Sequence, residues 1–372
     1  MLVFFYMNQP GALPSQAITK LISDGFVKNA DEKNIRPASL DLTLTSEVYR
    51  IEQVFLPRKG EAVRDLLKLA RPTLHHLSHP LEKNVTYIAR IKEIMHLPSD
   101  VHCICNPKSS TGRIDIQTRV IADGVPRYDT IMPGGYSGEL WTLITPKSFP
   151  VLLPPDESLS QIRFFNADTT LSYLELRDSY FASPLLYDRD ARSIPFSELA
   201  SDNDSSLILS VDLDMDTVGW ECLGSSHVLD VSKRNFYQPT DFFQPLRKIN
   251  GHIRLRQGAF YILYTKERVQ VSPTLACEMV PMDEKSGEFR AHYAGFIDPG
   301  WGWGLSGEVA GRRLVLEVRP FEEIVLRDGQ PISKIKFCRM TEQPTAVYDA
   351  MDSNYTKEAQ SPRLSKHFAT QQ

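Results

Sequence analysis

The chain has 372 residues, which exceeds what one hydrophobic core usually organises and predicts two domains of ordinary size. Its 42 basic and 46 acidic side chains give a formal net charge of −4, which excludes the broad basic surface of a nucleic-acid-binding protein. The apolar start at residues 1–7 is too short to span a bilayer, and no later stretch is long enough, so we expect neither a membrane anchor nor a secretory signal.

Short strand-like segments predominate along the chain. Helical periodicity is clear mainly in residues 17–25 and is weaker in residues 63–69. The strand-like segments are rich in Val, Ile, Tyr and Phe and are separated by Pro, Gly and Asp; they are residues 87–94, 101–105, 140–145, 252–265 and 313–319. This pattern predicts a mainly β fold, a sandwich or barrel, with a few peripheral helices.

The five cysteines are odd in number, and Cys103 and Cys105 alternate on one face of an apolar strand-like run. Such usage argues against a disulfide framework. We therefore expect a reducing, cytoplasmic location.

The chain repeats itself at an offset of 174 residues, so we call its two halves copy one and copy two. Identical residues recur at this offset without a gap; the pairs are Tyr87 and Tyr261, Ile88 and Ile262, Lys92 and Lys266, Glu93 and Glu267, Cys103 and Cys277, Pro107 and Pro281, and Pro146 and Pro320. After a stretch rich in Asp and Ser, Ser210-Val211-Asp212 also resembles Ser39-Leu40-Asp41, at an offset of 171 residues. A tandem duplication follows, with a domain at residues 1–170, a linker at 171–205, a second domain at 206–340 and a polar tail at 341–372.

The loop after the strand at residues 101–105 concentrates charge and hydroxyl groups in the run Asn106-Pro107-Lys108-Ser109-Ser110-Thr111-Gly112-Arg113. Such a loop can offer backbone amides, hydroxyl donors and positive charge to a polyphosphate. It lacks the G-x-x-x-x-G-K-[ST] spacing of a Walker loop, and a solvated turn of the same composition is the alternative. The equivalent loop of copy two, Met282-Asp283-Glu284-Lys285, would repel phosphate, so the anion loop is predicted only in copy one.

Copy two contains a carboxylate that copy one lacks. Glu317 interrupts an otherwise apolar strand, and the equivalent residue of copy one is Leu143. A carboxylate at this position either points to solvent or is desolvated with a raised pKa, ready for proton transfer. Asp298 and Trp301 precede this strand, where an aspartate is more often a turn residue and a tryptophan more often a packing residue. The two copies have thus lost opposite halves of one candidate site.

Three groups of residues carry a family resemblance: Lys108-Ser109-Ser110-x-x-Arg113, Ala294-x-x-Ile297-Asp298-Pro299-Gly300-Trp301 and Leu314-x-Leu316-Glu317. Together they resemble the dCTP deaminases, members of the trimeric dUTPase-like β-fold family. Residues 36–42 look like the early strand of that family and residues 355–365 like its C-terminal closing tail, so the resemblance covers nearly the whole chain. It implies tandem dUTPase-like β-barrel or jelly-roll domains.

The chain departs from that family in two ways. The family is usually a single domain with all motifs in each subunit, and it has Arg where Lys108 stands. In the single-domain enzymes the site lies between neighbouring subunits, so a fused pair can keep one complete interface while the other decays, as in the duplicated single-chain dUTPases. Whether the site forms within one chain or between the chains of a homo-oligomer stays open.

The resemblance implies hydrolytic deamination of dCTP at C4 of cytosine, giving dUTP and ammonia for dUMP and dTTP biosynthesis. It assigns Glu317 as the proton shuttle, Ser109 as a group that holds the water, and Arg113 as the group that stabilises developing charge or fixes the carboxylate. Mg²⁺ would arrive bound to the substrate triphosphate, and no metal site on the protein is expected. Zinc is not expected, because the H-x-E and P-C-x-x-C signatures of zinc deaminases are absent from the sequence.

The resemblance also assigns substrate-binding residues. Lys108, Ser109 and Ser110 would grip the triphosphate. Asp298 would accept a hydrogen bond from the sugar hydroxyl, with Trp301 as a wall against a 2′-hydroxyl. The remaining expected substrate contacts are Ala294, Tyr355, Lys357 and Gln360.

Other functions stay open at this point. A dUTP diphosphatase would use the same fold, but it usually has an aspartate base and a glycine-rich tail, and residues 358–362 are not glycine-rich. An enzyme with both activities is also open. A non-catalytic nucleotide-sensing protein would account for the split motifs, although Ser109, Arg113 and Glu317 are all retained.

Overall fold

The computed structural model describes residues 9–282, 289–290, 295–351 and 362–369. In copy one and the stretch after it, the elements are α1 (Ser15–Ser23), β1 (Val27–Lys28), β2 (Leu40–Leu42), β3 (Leu44–Ile51), α2 (Val63–Leu66), β4 (Thr73–Leu74), β5 (Thr86–His96), β6 (His102–Pro107), α3 (Ser109–Gly112), β7 (Ile116–Ala122), β8 (Thr130–Ile131), β9 (Ser137–Pro146), β10 (Val151–Leu152), β11 (Ser160–Phe165), α4 (Tyr173–Ala182) and β12 (Leu186–Tyr187). In copy two they are β13 (Leu207–Ser210), β14 (Gly219–Cys222), β15 (Leu229–Asp230), β16 (Phe243–Leu246), β17 (His252–Leu255), β18 (Tyr261–Val269), β19 (Leu275–Val280), β20 (Phe289–Arg290), β21 (Phe296–Ile297), β22 (Arg312–Pro320), β23 (Ile324–Arg327) and β24 (Pro331–Arg339).

Each copy folds into two sheets with corresponding strand order. The larger sheet of copy one runs β4-β3-β5-β9-β7, with β1 added to β5, and the smaller runs β2-β11-β6-β8. The sheets of copy two run β16-β14-β18-β22-β20, with β12 added to β18, and β13-β24-β19-β21. The order β3-β5-β9-β7 therefore corresponds to β14-β18-β22-β20. This confirms the prediction of a mainly β fold in tandem, with few helices.

The strands follow the apolar pattern of the sequence. β6 alternates buried and half-buried side chains, and Cys103 and Cys105 lie together on its buried face. By contrast, β11 is buried along its whole length. Its Arg163 donates to a carbonyl of copy two, so copy two covers the face of β11 that would otherwise meet solvent.

The two copies share a hydrophobic core. The parallel strands β10 and β15, one from each copy, are hydrogen-bonded. Phe149 of copy one packs edge-on against Phe242 of copy two, with ring centroids 4.9 Å apart, and Phe368 of the tail packs against the same Phe242 at 5.5 Å. Each buried phenylalanine stabilises the fold by roughly 1.5–3 kcal/mol relative to an exposed one. This core therefore holds both copies and the tail together.

The residue pairs between neighbouring strands show which positions of the two copies are equivalent. Ile88 pairs with Leu143 in copy one, and Ile262 pairs with Glu317 in copy two. The 174-residue offset therefore holds across these strands, and Glu317 and Leu143 occupy equivalent positions.

The predicted equivalence of residues 39–41 and residues 210–212 is wrong. The backbone N–H of Thr43 donates to Glu93 at 2.9 Å, and that of Ser210 donates to Glu267 at 2.8 Å. Because the two glutamates are equivalent, Thr43 and Ser210 are equivalent, and the offset here is 167 residues. Copy two has a longer connection before β14, which changes the offset.

The stretch at residues 171–205, expected as a linker, contains α4 and β12. Ser172 and Glu175 form a capping box at the start of α4, and Leu176 and Tyr180 are buried. β12 pairs with β18 of copy two. The stretch therefore packs on copy two, and the domain boundaries stay a prediction.

The other predicted segments form with one difference. Residues 17–25 contain α1, and residues 63–69 contain α2, which continues as a 3₁₀ turn. Residues 252–265, expected as one strand, form β17 and β18, because the chain turns between them at Gly258, where φ is +71°. Within the described ranges, no helix is long and apolar enough to cross a bilayer.

Candidate active site

The predicted anion loop lies where β6 ends. The chain makes one helical turn, α3, after Lys108, whose φ and ψ of −73° and 149° are still extended. Ser109, Ser110 and Arg113 line a cavity between the two copies, whereas Thr111 is buried behind them. The loop therefore presents hydroxyl groups and cations to one cavity.

Glu317 of copy two lines the same cavity. It lies in the middle of β22 and is 2% exposed, so this carboxylate is buried and does not point to solvent. Gly112 of α3 lies directly against it: a Cβ atom added to Gly112 would be 3.0 Å from Cδ of Glu317. Within one chain, the loop of copy one and the carboxylate of copy two are therefore neighbours.

An ion pair between the copies flanks this contact. Asp115, two residues after Arg113, is fully buried and accepts hydrogen bonds from Ser148 and from Arg319, which lies two residues after Glu317. Because both residues adjoin the site in sequence, the pair ties the anion loop to the strand of Glu317.

A buried aspartate organises two cations of the cavity. Lys108 Nζ donates to Oδ2 of Asp41 at 2.6 Å, and Arg36 donates to the same oxygen at 2.7 Å. Asp41 is 2% exposed, so these bonds are shielded from solvent. From the sequence, Arg36 and Asp41 are expected only as part of an early strand, whereas in the structure both line the cavity.

The tail packs against the anion loop. Arg113 is 5% exposed and donates to the carbonyl oxygen of Arg363 at 3.2 Å. Ser365 Oγ donates to the carbonyl oxygen of Ser110 at 3.0 Å. The next residue, Lys366, lines the cavity, and burial together with the nearby cations Lys108 and Arg234 lowers its pKa.

Asp298 and Trp301 form the wall of the cavity contributed by copy two. Burial raises the pKa of Asp298, an effect that the guanidinium of Arg163 opposes at 3.1 Å. The ring of Trp301 lies 5.2 Å from that of Tyr348, and both rings line the cavity. A carboxylate and two aromatic rings therefore line this part of the cavity.

The cavity has a volume of about 270 Å³, close to the lower end of small-molecule sites. Of the residues that the structure describes, five cationic side chains and three carboxylates line it, an excess of positive charge that suits a polyphosphate. The cations are Arg36, Lys108, Arg113, Arg234 and Lys366, and the carboxylates are Asp41, Asp298 and Glu317. Among the described residues, no group of three or more His, Cys, Asp or Glu side chains is arranged to hold a metal ion.

The structure brings together most of the residues that the sequence singled out. Those that line the cavity are Lys108, Ser109, Ser110, Arg113, Asp298, Trp301 and Glu317. Those outside the described residues are Ala294, Tyr355, Lys357 and Gln360. Lining residues that sequence reasoning missed as site residues include Arg36, Asp41, Gln161, Arg234, Tyr348 and Lys366.

Known proteins resemble the chain across both copies. Residues 9–168 match the model of the 2′-deoxycytidine 5′-triphosphate deaminase (DCD) N-terminal domain, and residues 183–368 match that of the C-terminal domain. The fold is similar to the crystal structure of 2′-deoxycytidine 5′-triphosphate deaminase from Agrobacterium tumefaciens, with 35% sequence identity and a TM-score of 0.83. That similarity covers 91% of this chain and 98% of the other chain. A comparison with curated proteins gives no match.

Proposed function

Because the chain belongs to the 2′-deoxycytidine 5′-triphosphate deaminase family, we propose that it hydrolyses dCTP to dUTP and ammonia. The observation that carries this proposal is the position of Glu317, a buried carboxylate in the same cavity as the Ser109 loop. A buried carboxylate beside hydroxyl donors is suited to take up and release a proton.

In the proposed reaction, water attacks C4 of the cytosine. Glu317 takes a proton from this water and delivers it to N3 of the base, which leaves a hydroxyl and the amino group on C4. It then carries the hydroxyl proton to the exocyclic nitrogen, so that a C4=O bond forms, the bond from C4 to this nitrogen breaks and ammonia leaves. Ser109 holds the water, and Arg113 stabilises the charge that develops or fixes the carboxylate. The packing of Gly112 against Glu317 supports this arrangement, because it keeps the carboxylate beside the loop that carries Ser109.

The triphosphate would bind to cationic and hydroxyl side chains that line the cavity. Lys108 and Ser110 come from copy one, and Arg234 and Lys366 from copy two and the tail. We expect the substrate to carry Mg²⁺ on its phosphate oxygens, where the ion lowers the negative charge that the protein must neutralise. Lys108 is paired with Asp41, so its charge is shared between this carboxylate and any bound phosphate.

The sugar would lie against the wall formed by Asp298 and Trp301. Asp298 would accept a hydrogen bond from the sugar hydroxyl, and Trp301 would disfavour a ribose 2′-hydroxyl. Tyr348, 5.2 Å from Trp301 between ring centroids, supports the position of that ring. We further propose a cytoplasmic location, which the five free cysteines support.

The proposal is tested by incubating the purified protein with dCTP and Mg²⁺ and measuring ammonia, dUTP and pyrophosphate. Ammonia and dUTP without pyrophosphate support a deaminase. Ammonia with pyrophosphate and dUMP identify an enzyme that also acts as a dUTP diphosphatase, the second candidate. Binding of dCTP without any product would indicate a nucleotide sensor and contradict the proposed reaction.

A further inference from the structure

A fully buried arginine of copy one contacts the segment of copy two that carries Asp298. The side chain of Arg163, on β11, is 1% exposed. Its guanidinium donates to Asp298 Oδ1 at 3.1 Å and to the carbonyl oxygens of Cys277 and Ile297 at 3.2 and 3.4 Å. It also stacks over the ring of Phe296, with Cζ 4.2 Å from the ring centroid.

Arg163 itself does not line the cavity, whereas Phe296, Ile297 and Asp298 all do. The arginine therefore contacts three consecutive lining residues from behind. Any effect of Arg163 on a ligand in the cavity must act through this segment.

At the positions that the repeat makes equivalent, both of them among the described residues, this ion pair is not formed. The strand ladders place Lys336 at the position equivalent to Arg163, and Lys336 pairs with Asp204 at 2.7 Å instead. They place Met132 at the position equivalent to Asp298. The pair is thus specific to the interface at which the anion loop and Glu317 meet.

We propose that Arg163 is a positioning residue that fixes Asp298 for recognition of the 3′-hydroxyl of the deoxyribose. The inference rests on the proposed function, because it assigns a task to the same site. Among the described residues, Arg163 is the only group whose hydrogen bond to the Asp298 side chain is seen, and it occupies Oδ1. Oδ2 is then left as the acceptor for a substrate hydroxyl.

The positive charge of Arg163 also affects the ionisation of Asp298. Burial disfavours the ionised form of Asp298, and Asp41 disfavours it further, whereas Arg163 and Arg36 favour it. A protonated Asp298 would lose acceptor strength, so the substrate hydroxyl would lose its charge-assisted hydrogen bond. Removal of Arg163 should therefore weaken recognition of that hydroxyl and leave proton transfer at Glu317 in place.

The experiment compares dCTP with 2′,3′-dideoxycytidine triphosphate, which lacks the hydroxyl. Dissociation constants are measured by calorimetry and KM and kcat by ammonia release, for the wild type, Arg163→Met and Arg163→Lys. A hydrogen bond to a charged acceptor predicts that the wild type prefers dCTP by about 10- to 100-fold in affinity. Arg163→Met should reduce this preference to about 3-fold or less with kcat for dCTP little changed, and Arg163→Lys should restore part of it.

A merely structural role would give a different result. Arg163→Met would then weaken binding of both nucleotides equally, or lower kcat and stability, with the preference for the hydroxyl unchanged, and the inference would be overturned. A wild type with no preference would overturn it as well. If Arg163→Met does not fold, the same constants are measured for Arg163→Gln. This variant keeps an amide donor for the carbonyl oxygens, and the same outcomes support or overturn the inference. If the wild type binds dCTP with this preference but releases no ammonia, the proposed reaction is contradicted, while loss of the preference in Arg163→Met still supports the role of Arg163.

Discussion

Gly112 of copy one lies against the carboxyl group of Glu317 of copy two. A Cβ atom added to Gly112 would stand 3.0 Å from Cδ and 3.1 and 3.2 Å from the two carboxylate oxygens. These distances are shorter than ordinary van der Waals contacts, so glycine is the residue that allows the loop and the strand to approach this closely. The contact joins the two halves of a site that the duplication has divided.

Gly112→Ala should therefore displace the carboxylate by a few tenths of an ångström. We expect kcat to fall about 10-fold, because small misplacements of a catalytic group are costly, while KM for dCTP changes little. Steady-state kinetics measure both values, and thermal unfolding checks that the fold is intact. Full turnover in a folded Gly112→Ala protein would show that the reaction does not require this packing.

Glu317→Gln keeps the shape of the side chain but removes its ability to carry a proton. We expect dCTP to bind nearly as in the wild type and kcat to fall by about 10²-fold or more. The matched control is Glu267→Gln, which makes the same change in a half-buried carboxylate that does not line the cavity. Normal turnover in Glu317→Gln, or equal losses in the two variants, would contradict the assignment of Glu317.

The metal requirement separates a substrate-borne ion from a zinc site. Activity should survive a zinc-selective chelator and fall when Mg²⁺ is withheld, because the ion neutralises charge on the triphosphate. Ammonia release is measured across a Mg²⁺ titration, with and without the chelator. Loss of activity that only zinc restores would overturn the proposed mechanism.

The tail should become less firmly attached at acid pH. Burial lowers the pKa of His367 from an ordinary 6.5 to about 4, although its Nδ1 lies 2.9 Å from the carbonyl oxygen of Lys233. The unfolded chain therefore binds this proton at a higher pH than the folded chain. Stability that is present above pH 6.5 is lost as the pH falls toward 4, by up to about 3 kcal/mol.

The measurement is urea unfolding of the wild type and of His367→Asn at several pH values from 7 to 4.5. Asparagine offers a similar donor but does not titrate, and the remaining groups are common to both proteins. The advantage of the wild type over the variant should shrink as the pH falls. A difference that stays constant over this range would show that His367 does not titrate as its burial implies.

Much of the fold and of the candidate site could be predicted from the sequence because the chain is duplicated. Comparison of Glu317 with Leu143, and of the Ser109 loop with its acidic equivalent, reveals losses that neither copy shows alone. The match of residues 39–41 to residues 210–212 is wrong because it depends on only two identical residues, a serine and an aspartate. A change in loop length shifts the offset here, and the hydrogen bonds of the folded chain reveal that change.

The rest depends on how the copies pack. Arg163 is one cation in an apolar strand, and nothing in its own strand indicates that the other copy supplies its partner. α4 has no clean apolar face, because Leu176 is buried while Leu174 and Phe181 are exposed, so its periodicity is weak. Lys366 is distant from the loop in sequence and lies at the cavity between Ser365, which is hydrogen-bonded to Ser110, and Phe368, which is buried near the shared core.

We infer that one chain builds one complete site from opposite halves of its two copies. Ser109→Ala and Glu317→Gln should each abolish most activity, whereas Leu143→Met, at the copy-one position equivalent to Glu317, should leave the chemical step unchanged. The direct measurement is ammonia release after mixing the two inactive variants under conditions in which exchange of any subunits is verified. A within-chain site predicts that mixing restores nothing, because each polypeptide carries one broken half. Recovery of a substantial fraction of wild-type activity would contradict the claim and place the site between chains.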